Sequence, residues 1–158
     1  MKTISTITLS LILVACGGGD PEPDPAQCKA AIVTAGTPLP GTTLPTECVF
    51  PAGLDLAATV DAARAATGKQ RVYMIGLGDG AAQVLQFMDK RPGYVEIASL
   101  WFTPAAAPTD LHRTLAGVYL NGPVCDAQAA AIRASGSPAT CAPATVYDPA
   151  TALKDLNL

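Results

Sequence analysis

The residues best placed for chemistry cluster in one short turn, Gly76-Leu77-Gly78-Asp79-Gly80, between an apolar run and a helical pattern. Glycines at alternate positions let a strand turn sharply into a helix. They also leave bare backbone N–H groups where an anion or a reacting oxygen could sit. Asp79 is the one ionisable side chain in the turn; its ordinary role is that of an acid in a first helical turn, favoured by the helix dipole. His112 is the only imidazole in the chain, and Asp126 follows a later apolar run. With Asp79 they complete the set of candidate acid–base groups. His112 also reads as a surface residue of a short helix, and Ser99, lying mid-strand, reads as core. Taken as G-x-G-x-x-A, the positions Gly76, Gly78 and Ala81 form a dinucleotide fingerprint, with Glu96 about twenty residues on. Glu96 falls inside a predicted strand rather than at its tip, however, and the turn is not the first of the sheet. The lesser expectation is therefore a dinucleotide-binding module, and no cofactor is assigned.

Cysteine supplies the second set of reactive groups. Five are present, and Cys16 stands apart from Cys28, Cys48, Cys125 and Cys141. No C-x-x-C pair occurs and there is a single His, so neither a zinc site nor a redox dithiol is expected. Four cysteines admit three pairings, which spacing alone does not separate. The short loops favour Cys28–Cys48 with Cys125–Cys141.

Positioning these groups takes a folded core, and the chain has the material for one. Of 158 residues, 49% are hydrophobic and 15% charged, which excludes wholesale disorder and fits one domain. Net charge is −3 with no basic stripe, so nucleic acid is not an expected partner. Apolar runs at 30–34, 71–75, 94–102, 118–120 and 144–147 read as strands. Between them lie helical patterns. Asp55 is an N-cap with Leu56, Val60 and Ala63 on one face and Gly68 as the stop. Ala81, Val84, Leu85 and Met88 share a second face. A short helix follows Thr109 with Leu111 and Leu115, an Ala-rich one runs over 126–134, and Asp148-Pro149 opens a last one. The proline-rich stretch 38–51 should be irregular. Strands alternating with helices predict an α/β three-layer sandwich around a mostly parallel sheet of about five strands.

The amino-terminal segment reads as an address. Lys2 precedes an apolar stretch, Ile4 to Val14, too short to span a bilayer. The stretch ends Leu13-Val14-Ala15-Cys16, which resembles the bacterial lipobox. The resemblance implies removal of residues 1–15 as a signal peptide and acylation of Cys16, with Gly17 favouring the outer membrane of the cell envelope. Residues 16–27, rich in Gly, Pro and acids, would then be a flexible tether, and 28–158 the folded domain. Loss of Lys2 leaves nine basic against thirteen acidic side chains. The domain is therefore not expected to rely on electrostatic attraction to anionic lipid. The acyl chains are the expected membrane contact, and the protein or small-molecule partner is left open.

The segment Arg71-Val72-Tyr73-Met74-Ile75-Gly76-Leu77-Gly78-Asp79-Gly80-Ala81 resembles the nucleophile elbow of α/β-hydrolases. It is most similar to polyhydroxybutyrate depolymerases and feruloyl esterases, over about Leu54 to Phe102. The resemblance implies a reduced α/β-hydrolase-like fold with the elbow glycines packing strand against helix. At the nucleophile position, however, stands Gly78, which carries no hydroxyl to acylate. No His follows the last predicted strand, where the family places its base; Asp126 alone stands where the acid would. The expectation is a lipid-anchored, non-catalytic binding or structural domain. The alternative is a weak serine-independent esterase using Asp79, His112 and Asp126.

Overall fold

The computed structural model describes residues 24–36, 45–101, 117–122, 125–134, 136–143 and 146–158. Six strands form one sheet in the order β2-β1-β3-β4-β5-β6, and every pairing is parallel. They are β1 (Ile32–Ala35), β2 (Val49–Pro51), β3 (Val72–Leu77), β4 (Val95–Trp101), β5 (Gly117–Asn121) and β6 (Ala139–Ala142). Four α-helices accompany them: α1 (Leu56–Thr67), α2 (Asp79–Lys90), α3 (Cys125–Ala134) and α4 (Pro149–Asp155).

The sheet is buried on both faces, as a parallel sheet must be. On one face Val33, Met74, Leu100, Val118 and Leu120 pack against Val60 of α1, Val84 and Leu85 of α2, and Ile132 of α3. On the other, Ile32, Ile75 and Trp101 meet Ala152 and Leu156 of α4. The alternation Met74/Ile75 and Leu100/Trp101 divides these side chains between the two layers, completing a three-layer α/β fold.

Helix ends follow the sequence signals closely. The Asp55 carboxylate accepts the Ala58 N–H at 3.0 Å, and Gly68 closes α1 in the left-handed region at φ 68°. The Asp148 carboxylate accepts the backbone N–H groups of Ala150 and Thr151, with Pro149 in the first turn of α4. Each cap supplies a partner to donors that the first turn leaves open.

Two strands differ from the sequence expectation, which is why the sheet has six rather than about five. β2 lies in the stretch expected to be irregular. Its proline is tolerated because β2 is an edge strand and Pro51 is its last residue, so no ladder bond needs the missing N–H. The last strand is β6 at 139–142 rather than 144–147; Val146 sits in a bend and Ala144 and Thr145 lie outside the described residues. Small residues and a threonine give β6 little strand propensity, and its place is set by tertiary partners: β5 alongside it and the Cys125–Cys141 disulfide. The expected helix after Thr109 also falls outside the described residues, as does the entire leader and most of the tether.

The cysteines pair locally. Cys28 is bonded to Cys48 and Cys125 to Cys141, each with Cα atoms 5.5 Å apart. The first bond ties the entry of β1 to the entry of β2. The second ties the start of α3 to β6.

Candidate functional site

Because all six strands are parallel, their carboxyl ends share one edge of the sheet. β1 neighbours both β2 and β3, and the chain leaves β1 toward one side and returns through α1 to the other. Such a reversal is the place where open α/β sheets bind ligands, outside the strand ends. The Gly78 turn sits at this reversal, at the end of β3 and beside the end of β1.

Each glycine of the turn has its own reason to be there. Gly78 adopts φ 54° and ψ −121°, a backbone conformation that costs any other residue steric strain. Its N–H donates to the Trp101 carbonyl at 2.7 Å, and its own carbonyl accepts from Ala81 N–H at 3.1 Å. The turn is thereby fixed from both sides. A Cβ on Gly80 would overlap the Ala35 carbonyl, and one on Gly76 would lie 2.7 Å from the Ala81 Cα. These two positions are bare because α2 is pressed against β1 and β3. A Cβ on Gly78, by contrast, would meet no atom of the described residues within 4 Å. The apex is therefore open and strained, and its carbon carries no functional group.

Asp79 is the first residue of α2 and is exposed, so it occupies the first-turn position that the helix dipole favours for an acid. Asp126 is exposed in the first turn of α3. β5 lies two strands from β3, about 10 Å across the sheet, and Cys125 beside Asp126 is bonded to β6, on the side of β5 away from Gly78. His112 lies outside the described residues. Glu96 stands at the amino end of β4 and pairs with Arg71 at 3.2 Å, on the edge of the sheet opposite the turn. The fingerprint glycines and this acid are not brought together.

Sequence reasoning missed a polar group on the α4 face, next to the carboxyl ends of β4 and β5. Ser99, fully buried as expected of a mid-strand residue, donates its hydroxyl to Asp155 Oδ2 at 2.8 Å. Asn121 Nδ2 donates to the same oxygen at 3.0 Å, and Trp101 Nε1 donates to the Ser99 hydroxyl at 3.1 Å. Tyr147 meets the Trp101 ring edge-on, with centroids 5.1 Å apart. Burial, assisted by the neighbouring Asp148 carboxylate, pushes the Tyr147 phenol up to about 12. The buried Asn121 Oδ1 and Tyr147 hydroxyl have no hydrogen-bond partner among the described residues. The only cue in the sequence was an asparagine and a serine inside apolar strands. Nothing local pointed to residue 155 as their partner.

Among the described residues no group of three or more His, Cys, Asp or Glu could hold a metal ion, and no helix is long and apolar enough to cross a membrane. No family model matches the chain, and neither a curated protein nor a solved structure matches it. The fold and the turn therefore define the class, a three-layer α/β domain with an elbow-shaped strand–helix turn, and nothing narrower.

Proposed function

We propose that this chain is a lipid-anchored, non-catalytic α/β-hydrolase-like domain of the cell envelope that acts by binding through the carboxyl edge of its sheet. One observation carries the reading: the apex of the elbow is Gly78, strained and open at φ 54° and ψ −121°. A nucleophile elbow holds its serine on such a turn so that the hydroxyl stands clear of the sheet. Here the backbone arrangement is kept and the hydroxyl is missing. Acyl transfer through that position needs an oxygen or sulfur that glycine does not have.

The anchor half of the proposal rests on Leu13-Val14-Ala15-Cys16 and the Gly- and Pro-rich tether behind it. Several acyl chains on one cysteine, at about 0.8 kcal/mol per buried CH₂, hold a domain on a bilayer without a membrane helix.

The test is direct. The purified domain is incubated with a fluorophosphonate probe and with short p-nitrophenyl esters. Neither an adduct nor turnover is expected. An adduct on any residue of 76–81, or turnover abolished by Asp79→Asn, would establish the esterase instead. A saturable fluorescence change with NADH would revive the dinucleotide reading of Gly76, Gly78 and Ala81. Mass spectrometry of the membrane fraction, expected to show acylated Cys16, tests the anchor separately.

A further inference from the structure

The net charge conceals a separation of charge along the strand direction. Among the described residues the helices that link successive strands, α1, α2 and α3, run back against them, so their amino ends lie at the carboxyl edge of the sheet and their carboxyl ends at the amino edge. At the carboxyl edge stand Asp55, Asp79, Asp126 and Asp148, the last beside Tyr147 on Trp101. Asp155, bonded to Asn121 at the end of β5, stands with them, and Lys154 beside it is the basic side chain of the described residues on that side. At the amino edge stand Lys29, Lys69, Arg71, Lys90, Arg91 and Arg133, against Asp24, Glu47, Asp89 and Glu96. Glu96 is engaged by Arg71 at 3.2 Å and Asp61 by Arg91 at 3.2 Å. Lys29, Lys69, Lys90 and Arg133 take part in no ion pair among the described residues.

The tether enters at the same basic edge. Asp24 and the short turn Pro25–Gln27 lead to Cys28, which is bonded to Cys48 just before β2. The two strands beside the tether are thus stapled at their amino ends.

We infer that the anchored domain sets its amino edge on an anionic phospholipid surface and turns the Gly78 edge toward the aqueous phase. The inference rests on the lipid anchor proposed above and adds which face meets the membrane. Two lengths support it. Seven residues lie between Cys16 and Asp24, a reach of about 28 Å at full extension. The seven residues of β4 already measure about 23 Å from edge to edge. Bringing the carboxyl edge down would require the tether to stretch almost fully along the side of the domain. The same height exceeds a Debye length of about 8 Å at physiological ionic strength, so the bilayer senses the near edge and hardly the acids of the far one. Asp20 and Glu22 lie outside the described residues, whereas the basic groups are fixed on the folded edge. The overall excess of acid therefore does not decide the orientation.

Full-length, lipidated protein is reconstituted into phosphatidylcholine vesicles with and without phosphatidylglycerol. Two readouts are taken. The first is amine acylation of Lys29, Lys69 and Lys90, read by mass spectrometry in vesicles and in detergent. The second is energy transfer from Trp101, the only tryptophan and the last residue of β4, to a dansyl-labelled lipid. Expected on anionic vesicles is roughly fivefold protection of the three amines with weak transfer from Trp101. Both effects should relax in 0.5 M salt and in the variant Lys29→Gln/Lys69→Gln/Lys90→Gln, which should melt like the parent. Labelling that ignores lipid charge, or strong transfer from Trp101, overturns the orientation while leaving the anchor intact. Protein that is not acylated at Cys16 and does not float with vesicles overturns the anchor, and the orientation with it.

Discussion

Gly78 and Trp101 are joined by a backbone hydrogen bond of 2.7 Å, from the Gly78 N–H to the Trp101 carbonyl. The bond carries the β3–β4 ladder one residue past the end of β3 and into the turn. It explains how a residue at φ 54° is held in place without any side chain of its own. The elbow is thus part of the sheet rather than a loop resting on it.

Glycine substitutions should separate the two reasons for bareness. Gly80→Ala drives a methyl group into the Ala35 carbonyl, so α2 must shift off β1, at a cost of about 2–3 kcal/mol. Gly78→Ala meets no atom of the described residues, and its backbone angle costs about 1–2 kcal/mol. Urea melts should therefore rank Gly80→Ala below Gly78→Ala. The reverse order would mean that the first turn of α2 is not pressed against β1. Gly78→Ser should fold like Gly78→Ala.

The two disulfides should contribute comparably. They close loops with sequence separations of 20 and 16, for which loop-closure entropy gives about 3 kcal/mol each. Replacing either pair by serine is expected to lower the urea midpoint, and replacing both to lower it further. Cys125→Ser/Cys141→Ser should in addition loosen β6, seen as faster amide exchange at residues 139–142, since that edge strand pairs on one side only.

Much of this architecture was legible because the strongest signals are local. An apolar run bounded by glycine, as in Val72-Tyr73-Met74-Ile75, specifies a buried strand. Asp55 before Leu56 and Asp148 before Pro149 specify helix starts by a hydrogen bond reaching only two or three residues ahead. What escaped depends on distant partners. β6 has weak intrinsic preference, and β2 offers only Val49 and Phe50 before Pro51 in a proline-rich stretch; both are held by the edges that β5 and β1 present. The link from Asp155 to Ser99 and Asn121 spans 56 and 34 residues, and no periodicity encodes it. The glycines of the turn were readable as a motif. The distinction between Gly78, bare over open space, and Gly80, bare against a carbonyl, needed the fold.

That long-range link gives a sharp prediction for α4. Asp155→Ala leaves the Ser99 hydroxyl and the Asn121 amide without their shared acceptor, each at a cost of about 1–3 kcal/mol. A stability loss of about 2–4 kcal/mol is expected, with a shift in Trp101 emission as the helix loosens from the ring beside it. Asp155→Asn keeps an acceptor oxygen and should lose less. If Asp155→Ala melts like the parent, the carboxylate does not hold α4 to the sheet.

Asp148 should contribute a step on the acid side. Hydrogen bonds from the Thr151 side chain and backbone hold its carboxyl below the usual range. A depressed folded value means stability that is present above the unfolded value, near 3.9, and lost as pH falls through the folded one. Comparing thermal melts of the parent and Asp148→Asn between pH 5 and 2 should show the step shrinking in the variant. Identical acid profiles would show that the cap is not the titrating group.

Tyr147 acts with the opposite sign at alkaline pH. Its phenol is held at about 12, whereas in the unfolded chain it ionises near 10. A raised folded value gives stability that is complete below the unfolded value and lost as pH rises toward the folded one. Stability should therefore fall between about pH 10 and 12, and Tyr147→Phe, which keeps the edge-on contact with Trp101, should flatten that fall. Absorbance titration near 295 nm should show one late-ionising phenol that the variant lacks. If the variant keeps it, the late group is another tyrosine, and the hydroxyl beside Trp101 is reached by water.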